Sequence, residues 1–206
     1  MLGVALIKLF LCRRLVSRLI AGSVSLLAVA GVFGCGKPFN VKTHPSLAGS
    51  NYAAKGTIDE IAVEAHAITD EDLLYDTFDA NLIAAGVLPV RIALTNGGGD
   101  AADLKSSRFE IQSHNGRFKS VEARKAFKRL ISYYGISVYS KSGYQESLEA
   151  FVFHSLDLTT PLAAAQSRQG LVFFLVPVEA ARGAGLTLDI RRLKSKSDQA
   201  VSLKLN

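Results

Sequence analysis

The sequence predicts a mainly β protein: a β-sandwich domain with an inserted helical hairpin, preceded by a signal peptide and a flexible tether. Short apolar/polar alternations recur between Ile61 and Leu205 and are broken by Gly- and Asn-rich turns. The middle of the chain, about residues 121–155, switches to helical spacing. The N-terminus holds a charge-free apolar run behind four basic residues. Composition bounds the rest. Of 206 residues, 49% are hydrophobic and 20% charged, which excludes a disordered chain. Five prolines and 17 glycines exclude collagen-like or Pro-rich linker architecture. No repeat of 20–50 residues is visible.

Lys8, Arg13, Arg14 and Arg18 are the only charges in residues 1–34, so most of the formal net charge of +6 belongs to that segment. Residues 19–34 carry no charge and are followed by Cys35. A basic region, an apolar region and small residues before a break describe a secretory signal peptide over 1–34. Val32-Phe33-Gly34-Cys35 resembles the lipobox of bacterial lipoprotein precursors, with Phe33 in place of the usual small residue. That resemblance implies cleavage before Cys35 and acylation of Cys35 as the new N-terminus. Gly36 in place of Asp implies, by resemblance to lipoprotein sorting rules, the outer membrane if the cell has two. An uncleaved anchor and a plain secreted protein are the alternatives. Sixteen helical residues span roughly 24 Å, short of the ~30 Å hydrocarbon core. The only other cysteine, Cys12, lies in the segment to be removed, so the mature chain has no pair for an internal disulfide.

Residues 35–55, rich in Gly, Pro, Asn, Ser and Thr, read as a lipid-anchored tether, and the domain as 56–206. Ile61, Val63, Ala65 and Ala67 alternate with Ala62, Glu64, His66 and Ile68, a half-buried strand. Thr69-Asp70-Glu71-Asp72 offers an N-cap before a short helical turn. Val90, Ile92 and Leu94 mark a second strand, ended by Asn96-Gly97-Gly98-Gly99-Asp100. Phe109 and Ile111 mark a third, closed by the hairpin signal Asn115-Gly116. Phe127, Leu130, Ile131 and Tyr134 then form the apolar stripe of a helix over 121–134. Ser142-Gly143-Tyr144-Gln145 fits a capping box for a second helix, through Leu148, Phe151 and Val152. Leu171 to Val176 is an apolar run suited to a strand buried on both faces. Leu186, Leu188 and Ile190, then Val201, Leu203 and Leu205, close the pattern.

The order LPVRIALTN, SSRFEIQSHNGRFKSVE, AAAQSRQGLVFFLVP, GLTLDIRRL resembles immunoglobulin-like sandwich domains of uncharacterised bacterial envelope lipoproteins. Phe109, Gly116, Gly170, Phe173 and Phe174 stand at the corresponding places, while Ala164-Ala165 replaces the usual Pro-Gly and the helical hairpin is a departure. The resemblance covers residues 88–193. It implies an immunoglobulin-like fold and no particular activity.

Residues bearing chemistry are sparse. His44, His66, His114 and His154 lack a second ligand at helix or hairpin spacing, so no metal and no cofactor is indicated. No nucleophile elbow occurs, and Gly97-Gly98-Gly99 lacks the Lys-Ser/Thr of a phosphate loop. Two charged stretches remain. Residues 59–79 hold eight acids and no base, whereas 117–129 hold Arg117, Lys119, Arg124, Lys125, Lys128 and Arg129 against Glu122. The basic stretch is either a solvated helix face, a partner for the acidic segment, or a contact for an anion. In the last case Lys125, Lys128 and Arg129 lie off the apolar stripe and would face the partner. No catalytic residue is assigned, and export argues against nucleic acid. The reading favours a non-enzymatic, membrane-anchored lipoprotein of the cell envelope, a binding or assembly module for envelope proteins or an anionic envelope polymer. An envelope hydrolase with a site of dispersed residues is the alternative.

Overall fold

A computed structural model of the chain describes residues 36–43, 52–194 and 199–205. The signal-peptide segment and Cys35 lie outside these residues. The chain divides into two units, Met1–Gly36 and Lys37–Asn206, and the architecture is that of the second.

Eight strands are named: β1 (Ala54–Ile58), β2 (Ile61–Ala67), β3 (Val87–Asn96), β4 (Arg108–Ser113), β5 (Gly116–Val121), β6 (Ser167–Leu175), β7 (Thr187–Arg191) and β8 (Ala200–Lys204). They form one sheet in the order β1-β2-β3-β6-β5-β4-β7-β8, antiparallel throughout. β5 joins the two halves. Its residues Gly116 to Lys119 pair with β4, and Ser120 and Val121 then pair with β6. The sheet rolls until its ends meet, with Gly56 of β1 against Val201 and Leu203 of β8.

The period-2 expectation holds for β2 and β4, whereas β3 is buried on both faces from Val87 to Ile92. Ile61, Val63, Ala65 and Ala67 of β2 are buried, and the register sets Val63 opposite Leu94 and Ala65 opposite Ile92. Val90, Ile92, Leu94, Phe109, Ile111, Phe173 and Leu188, the residues that the pattern assigns to the core, are all buried. β6 is buried on both faces from Leu171 to Phe174, and this double burial positions the helices. Phe151 stacks on Phe173 with ring centroids 4.9 Å apart, and Phe78 and Phe127 each meet Phe151 at 5.2 and 5.5 Å.

Those rings come from α1 (Glu71–Phe78), α2 (Ala123–Tyr133) and α3 (Lys141–Phe153); a short α4 (Val178–Arg182) precedes β7. The α2–α3 hairpin lies across the face of the sheet at β6 that carries Phe173, a ring that would otherwise stand in water. Asp70 caps α1 as expected, accepting from the Leu73 amide at 3.0 Å. The cap of α3 is Ser140 and not Ser142. Its Oγ accepts from the Gly143 amide at 2.9 Å, which leaves Ser142 inside the first turn. After α3 the chain crosses β6 closely, with the Leu171 amide donating to the His154 carbonyl at 2.7 Å. A Cβ on Gly170 would stand 2.5 Å from the Leu156 backbone there, so only glycine fits that crossing.

The tether expectation needs correction at both ends. β1 begins at Ala54, ahead of the expected Gly56. Residues 37–43 are docked on the helices, with Phe39 buried against Phe127 and Tyr134 at 5.8 Å each. The Ser147 hydroxyl donates to the Phe39 carbonyl at 2.6 Å, the Lys42 amide donates to the Thr77 carbonyl at 2.8 Å, and the Asn40 amide donates to Asp79 at 3.0 Å. A buried ring plus paired backbone offsets the entropy of ordering this segment. Among the described residues no helix is long and apolar enough to cross a membrane.

Candidate functional site

The helical layer is where the sequence-derived site residues can be placed. α2 buries Ala126, Phe127 and Leu130, and this turns Arg124, Lys125 and Lys128 out into solvent. Lys125 and Lys128 are exposed as expected. Arg129 is exposed as well, but its Nε donates to the Ala85 carbonyl at 2.8 Å, so part of its guanidinium ties α2 to the turn before β3.

The acids of residues 59–79 find their cations elsewhere. Asp76 pairs with Lys42, Glu71 with Arg182, Glu64 with Lys55 at 2.6 Å, and Glu60 with Lys194 at 3.0 Å. Among the described residues no ion pair joins this acidic segment to α2. The α2 face therefore keeps its positive field, while the acidic segment is partly neutralised by its own neighbours. Each of these ion pairs is solvent-exposed and adds little to stability.

The docked segment 37–43 borders the same layer, and sequence reasoning missed it. Its signal was a single alternation, Phe39 and Val41 between Lys37, Asn40 and Lys42, too short to stand out from a polar stretch. Lys37 reaches Glu146 of α3 at 2.8 Å, and His154 Nε2 meets the Lys42 carbonyl at 2.6 Å. Burial holds the His154 imidazole below its ordinary value, and the Lys42 hydrogen bond partly offsets that. The Tyr134 hydroxyl accepts from the Asn81 amide at 2.8 Å. Burial, and then a hydrogen bond with Tyr75, push that phenol up to about 12. These groups hold the layer together in its neutral forms.

On β2, His66 lies opposite Arg91 of β3, and its Nδ1 is buried without a hydrogen-bond partner. Burial first, and Arg91 second, push His66 below its usual value. Among the described residues no three His, Cys, Asp or Glu side chains gather as a metal set. A largely apolar cavity of about 440 Å³ opens where β5 leaves β4, lined in part by Phe109, Val121, Val152, Leu156 and Phe173, with Arg124 and Glu122 among its polar groups. Such a cavity can hold an apolar group and offers no paired acid and base for chemistry.

No family model matches the chain, and no curated protein matches it. Three solved structures are similar to it in part. One is a protein of Bacillus subtilis described as a candidate lipoprotein, 13% identical, with a TM-score of 0.35 over 74% of this chain. The chain spans only 38% of that protein's length. The second is an uncharacterised β-sandwich protein of Clostridium difficile, 8% identical, with a TM-score of 0.35 over 74% of this chain and 89% of its own. The third, of unknown function, comes from Listeria monocytogenes, 9% identical, with a TM-score of 0.38 over 73% of this chain and 81% of its own. At these values the likeness assigns neither a family nor an activity.

Proposed function

We propose that the chain is an exported lipoprotein, acylated at Cys35, whose domain is a non-enzymatic binding or assembly module of the cell envelope. The observation that carries this reading is the cationic face of α2, unneutralised by the acidic segment, on a helix against which Phe39, close in the chain to a lipobox-like cysteine, is docked. The docked Phe39 is four positions after Cys35, a reach of at most ~14 Å. An acyl anchor at Cys35 would keep the helical layer, with Lys125 and Lys128, close to the lipid surface. Each lysine near an anionic surface adds about 1 kcal/mol of attraction. If the cell has two membranes, Gly36 directs the anchor to the outer one by the sorting resemblance.

The strand pairing supports an immunoglobulin-like sandwich as the scaffold. β2, β3, β6 and β5 follow the order of one immunoglobulin sheet, and β4, β7 and β8 that of the other, with β5 also paired to β4 and β1 added at the edge. The test uses residues 36–206, which lack Cys35 and the basic and apolar segment before it, so that neither an acyl chain nor that segment can dominate. On phosphatidylglycerol vesicles this protein is expected to bind at low salt and release at high salt, and to ignore phosphatidylcholine. Lys125→Gln with Lys128→Gln should remove that binding. Unchanged binding in the double variant would leave α2 as a solvated face only.

A further inference from the structure

The outer face of β4 and β7 sets like charges side by side. Arg108 opens β4 and lies directly opposite Arg191, which closes β7; the next outward pair is Glu110 opposite Asp189. Phe109 and Ile190 between them are buried on the inner face, so alternation brings all four charged residues to the outer one. Directly opposed residues hold their Cβ atoms about 5 Å apart, and like charges so placed destabilise the pair. Lys119 of β5 lies opposite Glu110, and Arg192 follows Arg191. These residues line a cleft of about 490 Å³.

The two carboxylates do not relieve the arginines. Asp189 is buried and accepts from Gln112 Nε2 and from the Ser202 hydroxyl, the latter at 2.5 Å. Glu110 faces Lys119 in the register. Among the described residues, neither Arg108 nor Arg191 takes part in an ion pair; Arg108 Nη1 donates only to the neighbouring Ser107 carbonyl at 3.2 Å. Two exposed guanidinium forks are thus held together by strand register, at the edge of a cleft whose four cations outnumber its two acids. A tetrahedral oxyanion relieves that repulsion and accepts the forked donors of both side chains. A phosphate group is anionic near neutral pH and so offsets the charge of the arginine pair.

We infer that this cleft is a phosphoryl-binding site, gripped by Arg108 and Arg191 and supported by Lys119. It is separate from the α2 face, so either site can fail without the other. The phosphoryl group belongs either to free phosphate or to a lipid headgroup, and the experiment has an arm for each. The full chain carrying Cys35→Ala is titrated with inorganic phosphate, by calorimetry and by thermal unfolding, with and without phosphatidylglycerol vesicles. Saturable binding with a raised melting temperature is expected, undiminished by Lys125→Gln with Lys128→Gln. Arg108→Gln with Arg191→Gln should weaken phosphate at least tenfold, yet melt no lower than the parent without phosphate, because the like-charge contact is gone. Arg191→Lys, which keeps the charge and loses the fork, should fall between. Competition by the vesicles identifies the headgroup as the source, and its absence identifies free phosphate. No saturable phosphate effect, or an effect that survives the double arginine substitution, would overturn the inference.

Discussion

On its β3–β6 side the rolled sheet sets Phe173 under Phe151, Phe39 under α2 and His154 against Phe78, and the Ser147 hydroxyl and the His154 ring there end on backbone carbonyls. On its β4–β7 side it sets Arg108 beside Arg191 with no layer above them. The first face is where burial stabilises the fold, and ring contacts there replace water. The second face gives up stability by opposing like charges, a sacrifice that makes sense where an outside group is to be bound. Substitutions should therefore be costly on the covered face and neutral or favourable on the bare one.

The largest effect is expected from Phe173→Ala, which deletes a fully buried ring stacked on α3, at about 3–5 kcal/mol. Chemical denaturation of the full chain measures it. A loss under about 1 kcal/mol would mean that the helices do not share the core.

Phe39→Ala tests whether the docked segment belongs to the covered face. Its ring touches Phe127 and Tyr134, but it sits on a short segment outside the helices and strands, so about 2–3 kcal/mol is expected. Hydrogen exchange should show the Lys42 amide protected in the parent and open in the variant, since that amide donates to Thr77. Equal exchange in both would return residues 37–43 to a free tether.

The pH dependence sharpens the contrast, because the buried imidazole lies on the covered face. The folded value of His154 is below its ordinary 6.5, so the unfolded chain takes up the proton first as pH falls. Stability is then complete above about 6.5 and is lost as pH drops from there through the lowered folded value. His154→Gln should flatten this slope in part. His66, lowered in the same direction, keeps the remainder. A slope that is unaltered by His154→Gln would mean that other groups set it.

The smallest effect, and the one of opposite sign, belongs to the bare face. Arg108→Gln should stabilise the phosphate-free protein by a few tenths of a kcal/mol up to about 1, by removing one member of the opposed pair. Lys125→Gln on α2, whose like-charged neighbours Lys128 and Arg129 lie in solvent, should stay within about ±0.5 kcal/mol. A clear destabilisation by Arg108→Gln would erase the distinction between the two faces.

The two faces were not equally legible in the sequence. Period-2 runs located the core of β2 and β4, because alternation is a local property that one-sided burial imposes; in β3 and β7 the same runs marked core residues but missed that Arg91 and Asp189 between them are buried too. The double burial of β6 also showed, as an unbroken apolar run. What covers that strand did not show, since Phe151 and Phe173 meet only through packing between elements. Phe39 was hidden in a polar stretch for the same reason. The cationic α2 face was readable, because charge and helical spacing both sit within one segment. The Arg108–Arg191 pair was not, since 83 positions separate them and only the β4–β7 register brings them together. Charge density is a property of a segment, whereas apposition is a property of a pairing.

The anchoring of the domain at Cys35 underlies the proposed role, and the intact mass of the protein extracted from membranes tests it most directly. The account expects a chain beginning at Cys35 with the added mass of a lipid modification, and a Cys35→Ala variant that retains the N-terminal segment. An unmodified Cys35 in the membrane-extracted protein, or the same mature mass from the Cys35→Ala variant, would contradict it.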